Sequence, residues 1–405
     1  MHALDGFLVI VLDHATVMHY YWQVFRSYRY ALRPTLAQER VLLGWLALTR
    51  ELYNSALQER RNAWSRDRRM VCLSDQEEEI PEIRKVRHEY REVPVLVLRG
   101  ALRRLDKGFK AFFGRCKRGE KPGYPRFRGV RGWRSILIDD LAGKVPIVCG
   151  GKRIVVPMLG KVKFKQHRPL QGTPKAMRII LDNGRWFVTF ACVDVPIKLL
   201  EPSNTPVGID LGIHHFAATS DGDIIPNPEP LKAARISIER AQRRVTRRKL
   251  GSNRRRCAVR ILARRHAHVA AIRREHHIRT ARSLVARYGT ICVEALNVKS
   301  LSAGMLAKQV NDAAWGNFLH WLDCKAEEAG RQVVEVDPRG TSQTCPACGA
   351  VKPKPLSQRM HRCDCGLVCD RDVAAARVIL GLGTSLRGAA PPVGDSDDPR
   401  RASRV

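Results

Sequence analysis

The chain has 405 residues, with 72 Lys and Arg against 39 Asp and Glu, a formal net charge of +33 and a 44% hydrophobic fraction. That apolar fraction is ordinary for a chain that buries a core, so disorder throughout is excluded, and the length suffices for two or three domains. No apolar run reaches 18 residues, and the N-terminal FLVIVL lies between Asp5 and Asp13. We therefore expect neither a spanning helix nor a signal peptide, and the charge favours nucleic acid as the partner.

The first half of the chain predicts helices followed by a small antiparallel barrel. Residues 1–23 fit no element and are expected to be an N-terminal extension, whereas residues 24–34 alternate like a strand. Helical spacing of apolar residues follows Pro34, and again follows Pro94, within residues 35–118. Residues 119–203 contain short apolar strands between glycine-rich turns, including the hairpin signal DNG.

One loop beside the predicted barrel sets aromatic residues among arginines. The stretch YPRFRGVRGWRS contains Tyr124, Arg126, Arg128 and Trp133. Aromatic rings stack on bases and arginines bind phosphates, so this stretch is a candidate nucleic-acid contact. An equally acceptable alternative is that the aromatic side chains anchor the loop to the barrel.

The second half of the chain predicts a mixed sheet. The stretch PVGIDLGIHHFAATSDGDIIPN indicates a three-strand meander, and TICVEAL and RQVVEV indicate two further strands, each preceded by a helical region. The order β-β-β-α-β-α-β is that of the ribonuclease-H-like fold, and we assign residues 204–340 to it. The fold class is therefore multidomain α/β.

A basic helical region occupies residues 231–287 of this half. Between Arg235 and Arg287 there are 18 Lys and Arg residues against two acids, which is too one-sided for helix-stabilising ion pairs. We expect phosphate contacts here in preference to a merely solvated charged face. The candidate residues are Arg243, Arg244, Arg247, Arg248, Lys249, Arg254, Arg255 and Arg256.

Five of the 12 cysteines crowd near the C-terminus. The motifs TCPACG and RCDCG supply Cys345, Cys348, Cys363 and Cys365, and two close thiolate pairs separated by a loop predict a structural zinc ribbon over residues 341–368. Cys369 could replace one ligand of the second pair, although a free or buried thiol is the simpler interpretation. Disulfide pairing is the alternative for the whole cluster.

Two acids end the apolar strands of the predicted sheet. Asp210 closes PVGID and Glu294 lies near the end of TICVEAL, and the first and fourth strands of a ribonuclease-H-like sheet are neighbours. Buried carboxylates are costly unless they bind cations, so we predict two Mg²⁺ ions and phosphodiester cleavage. The helix in CDRDVAAARVIL offers a third acid, Asp370 or Asp372, and either could instead only cap that helix.

Taken together, these motifs resemble the TnpB (OrfB) proteins of insertion sequences, which share a RuvC-like nuclease core with compact type V CRISPR effectors. The resemblance covers about residues 24–382 and rests on YALRPTLAQE, GIDLGIHHFAATSDG, VEALNV, TSQTCPACG and CGLVCDRDVAAARVIL. It implies that Asp210, Glu294 and Asp372 are the catalytic magnesium ligands and that Asp370 is not. It also implies that the zinc ribbon is inserted before the third acid.

The resemblance further implies a guide RNA from the transposon end and a double-stranded DNA target beside a short flanking motif. Residues 24–34 and 119–203 would form a wedge barrel, residues 35–118 a helical recognition lobe, residues 369–382 the final nuclease helix, and residues 383–405 a disordered tail. We expect the protein in the prokaryotic cytoplasm, associated with the nucleoid.

Three other functions remain open from the sequence. The chain could be a compact type V CRISPR effector, an unguided RuvC-like nuclease or transposase, or an RNA-guided DNA-binding repressor that does not cleave. The three acids favour cleavage over the repressor.

Overall fold

The structure is a computed structural model that describes residues 26–139, 141, 147–148, 152–196, 199–304, 306–355 and 358–389. The chain divides into two compact units, with the boundary between residues 196 and 197. The predicted extension at residues 1–23, and the predicted tail from residue 390 onward, lie outside the described residues. No helix of the described part is long and apolar enough to cross a membrane.

The first unit contains two long helices joined by short ones. Thr35 begins the first long helix through a reciprocal capping box with Gln38, and the second long helix directly follows Pro94, where the sequence predicted helical spacing to begin. The charged segment between them forms two short helices and a 3₁₀ turn at His88–Glu92. The helices are α1 (Leu36–Asp67), α2 (Leu73–Glu78), α3 (Ile80–Val86) and α4 (Val95–Lys117).

A seven-stranded antiparallel sheet completes this unit. Its strands are β1 (Arg26–Arg33), β2 (Ser135–Ile138), β3 (Ile147–Val148), β4 (Arg153–Val156), β5 (Gly160–Lys165), β6 (Thr173–Asp182) and β7 (Arg185–Val193). The strand order is β2-β6-β7-β1-β5-β4-β3, so the N-terminal strand lies between β7 and β5 and joins this sheet, as the resemblance implied. Asn183 and Gly184 both have positive φ in the predicted hairpin between β6 and β7.

The second unit is built on a mixed five-stranded sheet. Its strands are β8 (Pro206–Asp210), β9 (His215–Thr219), β10 (Ile224–Pro226), β11 (Thr290–Glu294) and β12 (Gln332–Val336), in the order β10-β9-β8-β11-β12. The meander is antiparallel, whereas β8, β11 and β12 run parallel. The first and fourth strands of the sheet are therefore neighbours, as the sequence predicted.

Helices cover both faces of this sheet. They are α5 (Pro230–Thr246), α6 (Asn253–Arg287), α7 (Val298–Leu301), α8 (Ala307–Ala313), α9 (Trp315–Ala329) and α10 (Arg371–Ala389). Val207, Ile209 and Val293 share a core with α6 and α9. On the opposite face, Cys292 packs with Ile379 of α10. Because helices pack on both faces of the sheet, side chains on both sides of β8 and β11 are buried. The two strands therefore appear in the sequence as continuous apolar runs.

The last helix is longer than the sequence predicted. We expected it to end at residue 382 and a disordered tail to follow, but α10 continues to Ala389. The side-chain hydroxyls of Thr384 and Ser385 bond back to the carbonyls of Leu380 and Gly381, which satisfies them inside the helix. The polar, glycine-containing composition of this segment was thus compatible with a helix.

Candidate active site and cysteine cluster

Three carboxylates approach one another at the end of the five-stranded sheet. Asp210 is the last residue of β8, Glu294 is the last residue of β11, and the preceding residues of these strands, Ile209 and Val293, are register partners. Burial raises the pKa of Asp210 well above its ordinary value, and the nearby carboxylates of Glu294 and Asp372 raise it further. The predicted acids therefore lie close enough for the charges of Glu294 and Asp372 to affect Asp210.

Small residues let α10 bring Asp372 to this position. A Cβ atom at Gly208 in β8 would lie 1.9 Å from the carbonyl oxygen of Ala376, so the helix backbone touches the strand. Ala374 and Ala376 are buried at this contact. Near the start of the helix, a Cβ at Gly212 would lie 3.7 Å from Oδ2 of Asp372.

Asp370 has a different role from Asp372. Its Oδ1 accepts hydrogen bonds from the backbone N–H groups of Asp372 at 2.8 Å and Val373 at 3.4 Å. Asp370 is therefore the helix cap that the sequence offered as an alternative for either acid. The neighbouring Arg371 is buried and donates to the carbonyl of Pro355 at 2.8 Å, which ties the start of α10 to the loop before β13 (Met360–Arg362).

Glu294 receives a hydrogen bond that the sequence analysis did not anticipate. The hydroxyl of Thr341 donates to Oε1 of Glu294 at 2.5 Å. Burial raises the pKa of Glu294, and this hydrogen bond acts in the opposite direction. The one available signal for Thr341 was its place at the start of the motif TSQTCPACG, four residues before the first cysteine.

Hard oxygen donors of this kind suit Mg²⁺. Within the described part of the chain, only the four cysteines form a group of three or more ligating side chains whose donor atoms all lie within 4.8 Å. Among the described residues the three carboxylates do not form such a group.

The four predicted cysteines come together around a common centre. Sγ of Cys345 lies 3.7 Å from that of Cys365, and Sγ of Cys348 lies 3.5 Å from that of Cys363. A tetrahedral zinc with Zn–S bonds of about 2.3 Å separates its sulfur atoms by roughly 3.8 Å, so the cluster can hold a metal such as zinc. All four are free thiols, which contradicts the disulfide alternative. Cys369 lies outside the group.

Backbone groups favour the thiolate form of Cys345, whereas contacts with neighbouring sulfur atoms raise the pKa of Cys348. Burial alone would raise the pKa of Cys345, but the N–H groups of Cys348 and Ala347 and the ring of His361 lower it to about 5. His361 is itself buried and contacts Nζ of Lys354 through Nδ1. His361 lies in β13, which pairs with β14 (Val368–Asp370), and β14 leads directly into α10.

The aromatic loop is only partly available for nucleic acid, and Trp133 corrects the prediction. Its side chain is 4% exposed, Nε1 donates to Oγ1 of Thr49 at 3.0 Å, and its ring packs against Tyr53. The alternative interpretation, a loop anchor, therefore applies to Trp133. A buried indole needs a partner for its N–H group, and only α1 supplies one here.

The other loop residues remain accessible. Arg126 and Arg128 are exposed, and the Arg128 backbone N–H donates to Oδ1 of Asn54. Tyr124 is 41% exposed, but its ring edge packs on Phe109 and Phe112. These residues can still meet a partner through their exposed edges.

Six of the eight basic candidates on and between α5 and α6 are exposed, and two, Arg248 and Arg255, are half-buried. Arg255 is half-buried, and its Nη1 donates to the carbonyls of Val245 at 2.7 Å and Arg248 at 3.0 Å. These two bonds link the end of α5 to the start of α6. They also supply donors to carbonyl groups that lack a partner at the C-terminal end of a helix. The exposed candidates are Arg243, Arg244, Arg247, Lys249, Arg254 and Arg256.

Comparison with known proteins decides the family. A Streptomyces pristinaespiralis protein described as a candidate RNA-guided DNA endonuclease is 32% identical over 389 residues, covering 94% of this chain and 94% of its own. The OrfB_IS605 family model, described as a probable transposase, matches residues 190–304. The chain belongs to the TnpB/OrfB family.

Other matches to TnpB/OrfB relatives agree with this assignment. An Escherichia coli K12 protein, InsQ, described in the same way, is 25% identical, with 88% of this chain and 92% of its own covered. The Cas12f1-like TNB domain model matches residues 315–379, which include the cysteine cluster. A helix-turn-helix model matches residues 24–69, where the structure has β1 and the single helix α1. The solved structure of the mini RNA-guided endonuclease CRISPR-Cas_phi3 aligns over 92% of this chain and 94% of its own at a TM-score of 0.48 and 11% identity, too distant to bear on activity.

Proposed function

We propose that this TnpB/OrfB protein is an RNA-guided DNA endonuclease that cleaves target DNA beside a short flanking motif. The observation that carries the proposal is the approach of Asp210, Glu294 and Asp372 from β8, β11 and α10 at one end of the sheet. A family relative covering nearly the whole chain is described as an endonuclease of this kind, which supports the same activity here.

In this proposal the three acids hold two Mg²⁺ ions in a RuvC-like core. Such ions, when bound, activate a water molecule and stabilise the leaving oxygen of a phosphodiester. Asp210 is half-buried beside two other carboxylates, and its raised pKa indicates that its charged form would be stabilised by a neighbouring cation. Glu294 presents an oxygen oriented by Thr341, and Asp370 holds the helix turn that carries Asp372.

The four cysteines are proposed to hold one structural Zn²⁺. With four protein ligands, no coordination position is open for water. The zinc would therefore stabilise the fold and take no part in the cleavage reaction. The ribbon of residues 341–368 is connected to the acids at both ends, since Thr341 contacts Glu294 and β14 continues into α10. Loss of zinc is therefore expected to disturb the acid site.

The basic surface is proposed to bind a guide RNA from the transposon end and the target DNA. The formal charge of +33 suits a channel that holds an RNA–DNA heteroduplex by its backbone. We assign residues 24–34 and 119–203 to a wedge domain and residues 35–118 to a recognition lobe. Both partners occur at the prokaryotic nucleoid, where we expect the protein to act.

The test is to express the protein with its native flanking DNA, sequence the RNA that copurifies, and offer plasmids that contain the matching target. We expect Mg²⁺-dependent cleavage of matched plasmids only. Cutting without a match would indicate the unguided nuclease, and matched binding without cutting would indicate the repressor. Either result would overturn the proposal.

A further inference from the structure

Thr341 is a buried polar residue placed between the acid site and the cysteine cluster. Its side chain is 3% exposed, and its Oγ1 lies 2.5 Å from Oε1 of Glu294 and 3.1 Å from the carbonyl oxygen of Pro338. A hydroxyl has a single hydrogen to donate. An ionised carboxylate accepts it in preference to a carbonyl, because charge-assisted hydrogen bonds are the stronger ones.

This bond orients the Glu294 carboxylate. Among the described residues it is the one hydrogen bond that the Glu294 side chain makes. Oε1 is thereby fixed, and the second oxygen of the carboxylate is left for a cation. Carboxylates that bind metals are commonly held in this way by outer hydrogen bonds, and removing such a bond typically costs 10- to 100-fold in metal affinity or activity.

The position of Thr341 is set by the turn that leads into the cysteine cluster. The carbonyl of Gly340 accepts from the backbone N–H groups of Gln343 and Thr344, each at 2.9 Å, and from the Thr344 hydroxyl. Gly340 has a φ of 76°, which a glycine adopts readily. Cys345 follows this turn directly, so Thr341 and the first sulfur ligand belong to one continuous hydrogen-bonded segment.

We propose that Thr341, placed at the start of the turn that leads to Cys345, is a positioning residue that orients the Glu294 carboxylate for cation binding. The inference rests on the proposed function, because it concerns the same acid site. Thr341 itself binds neither metal in this proposal, unlike the three acids and the four cysteines.

The test measures Mn²⁺ binding to the RNA-bound protein by electron paramagnetic resonance, with no DNA present. Site-specific binding is the part that is lost in Asp210→Ala. Thr341→Val removes the hydroxyl at nearly constant shape and should weaken site-specific Mn²⁺ binding by about 10-fold or more. Thr341→Ser keeps the hydroxyl and should bind Mn²⁺ as the unaltered protein does.

The matched control is Thr344→Val, which removes a hydroxyl from the same turn that contacts Gly340 and not Glu294. Zinc content and Tm are measured for every variant, and if Thr341→Val does not fold, Thr341→Ala against Thr341→Ser provides the same comparison. The proposal is supported if only the Thr341 variants without a hydroxyl lose Mn²⁺ affinity.

Two results would overturn the positioning role. One is unchanged Mn²⁺ affinity in Thr341→Val while Asp210→Ala loses the site, which leaves the nuclease proposal intact. The other is an equal loss in Thr344→Val, which would make the turn's general stability the cause. If Asp210→Ala itself retains all Mn²⁺ binding, the acid site fails, and with it the proposed function.

Discussion

Among single residues, the Asp210 carboxylate destabilises the folded protein when no cation is bound, and it is also a proposed ligand of the catalytic cations. It is half-buried, and burial raises its pKa well above the ordinary value, while the nearby Glu294 and Asp372 carboxylates raise it further. Such a group is destabilising when ionised and unpaired. Bound cations would offset both effects, so the same geometry that weakens the metal-free protein prepares it to bind metal.

The first prediction concerns activity. Asp210→Ala should abolish cleavage of matched DNA, by at least about 100-fold, because it removes a proposed metal ligand. Binding of RNA and of target DNA should be unchanged, since those contacts are proposed to come from the exposed arginines. Cleavage assays and filter binding on the same preparation check this, and undiminished cutting by the variant would remove the acid from the site.

The second prediction concerns pH. An acid whose folded-state pKa is raised contributes stability below its unfolded pKa, about 3.9, and loses it as pH rises through the folded pKa. In buffer without Mg²⁺, Asp210→Asn should therefore melt a few degrees higher than the unaltered protein at pH 8. The gap should shrink as pH falls toward 4. A gap that is constant with pH would contradict the assigned repulsion.

Residue roles were predictable from the sequence only where the signal is local. Asp210 and Glu294 each end an apolar strand, and that pattern is visible without a structure. The local pattern alone could not separate Asp370 from Asp372, because both begin the same helix. Family resemblance assigned the ligand role to Asp372, and the hydrogen bonds show that Asp370 is the cap. Thr341 gave little signal, since its contact with Glu294 spans 47 residues and depends on the fold of the sheet.

At the scale of elements, the fit of α10 on β8 determines where the third acid lies. Gly208→Ala should destabilise the second unit by several kcal/mol and reduce cleavage, because the new Cβ would meet the backbone oxygen of Ala376. Gly381→Ala in the same helix is the control, since nothing lies within 4 Å of its Cβ position. Thermal unfolding compares the two, and equal Tm values would argue against the close contact.

The cysteine cluster gives a second prediction at this scale. Cys345→Ser should lower zinc content below one ion per chain and lower Tm, because a structural site contributes its binding energy to folding. Cys369→Ser should retain zinc, since that thiol lies outside the four-cysteine group. Metal analysis and calorimetry on both variants provide the check. Full zinc retention in Cys345→Ser would exclude the assignment.

Elements with a strong pattern of apolar residues or a clear residue signal at their start were predictable from the sequence, and the other elements were not. The strands β8 and β11 and the starts of α1 and α4 follow from apolar runs and from Thr35 and Pro94. The strand β2 was missed because SILI is short and follows a segment rich in glycine and arginine. Only family resemblance indicated that β1 joins the strands of residues 119–203. Its place between β7 and β5 was not predicted, because the register partners Arg33 and Lys163 are far apart in the chain.

At the scale of the whole molecule, the positive charge is the property that relates most directly to a partner. Replacing the exposed Arg243 and Arg247 together by Gln should weaken RNA binding and lower the slope of log affinity against log salt by up to about 2. Lys232→Gln on the same helix is the control, because Lys232 is already paired with Glu229 at 2.6 Å. An unchanged salt slope in the double variant would show that α5 does not contact phosphate.

The central claim is that base pairing with a bound RNA selects the DNA that the three acids cut. The most direct measurement replaces the guide segment of the copurified RNA and follows cleavage of two plasmids, one matching the original segment and one matching the new segment. We predict that cleavage moves entirely to the new target and disappears in Asp210→Ala. Cleavage that stays with the original plasmid, or that falls equally on both, would contradict RNA guidance.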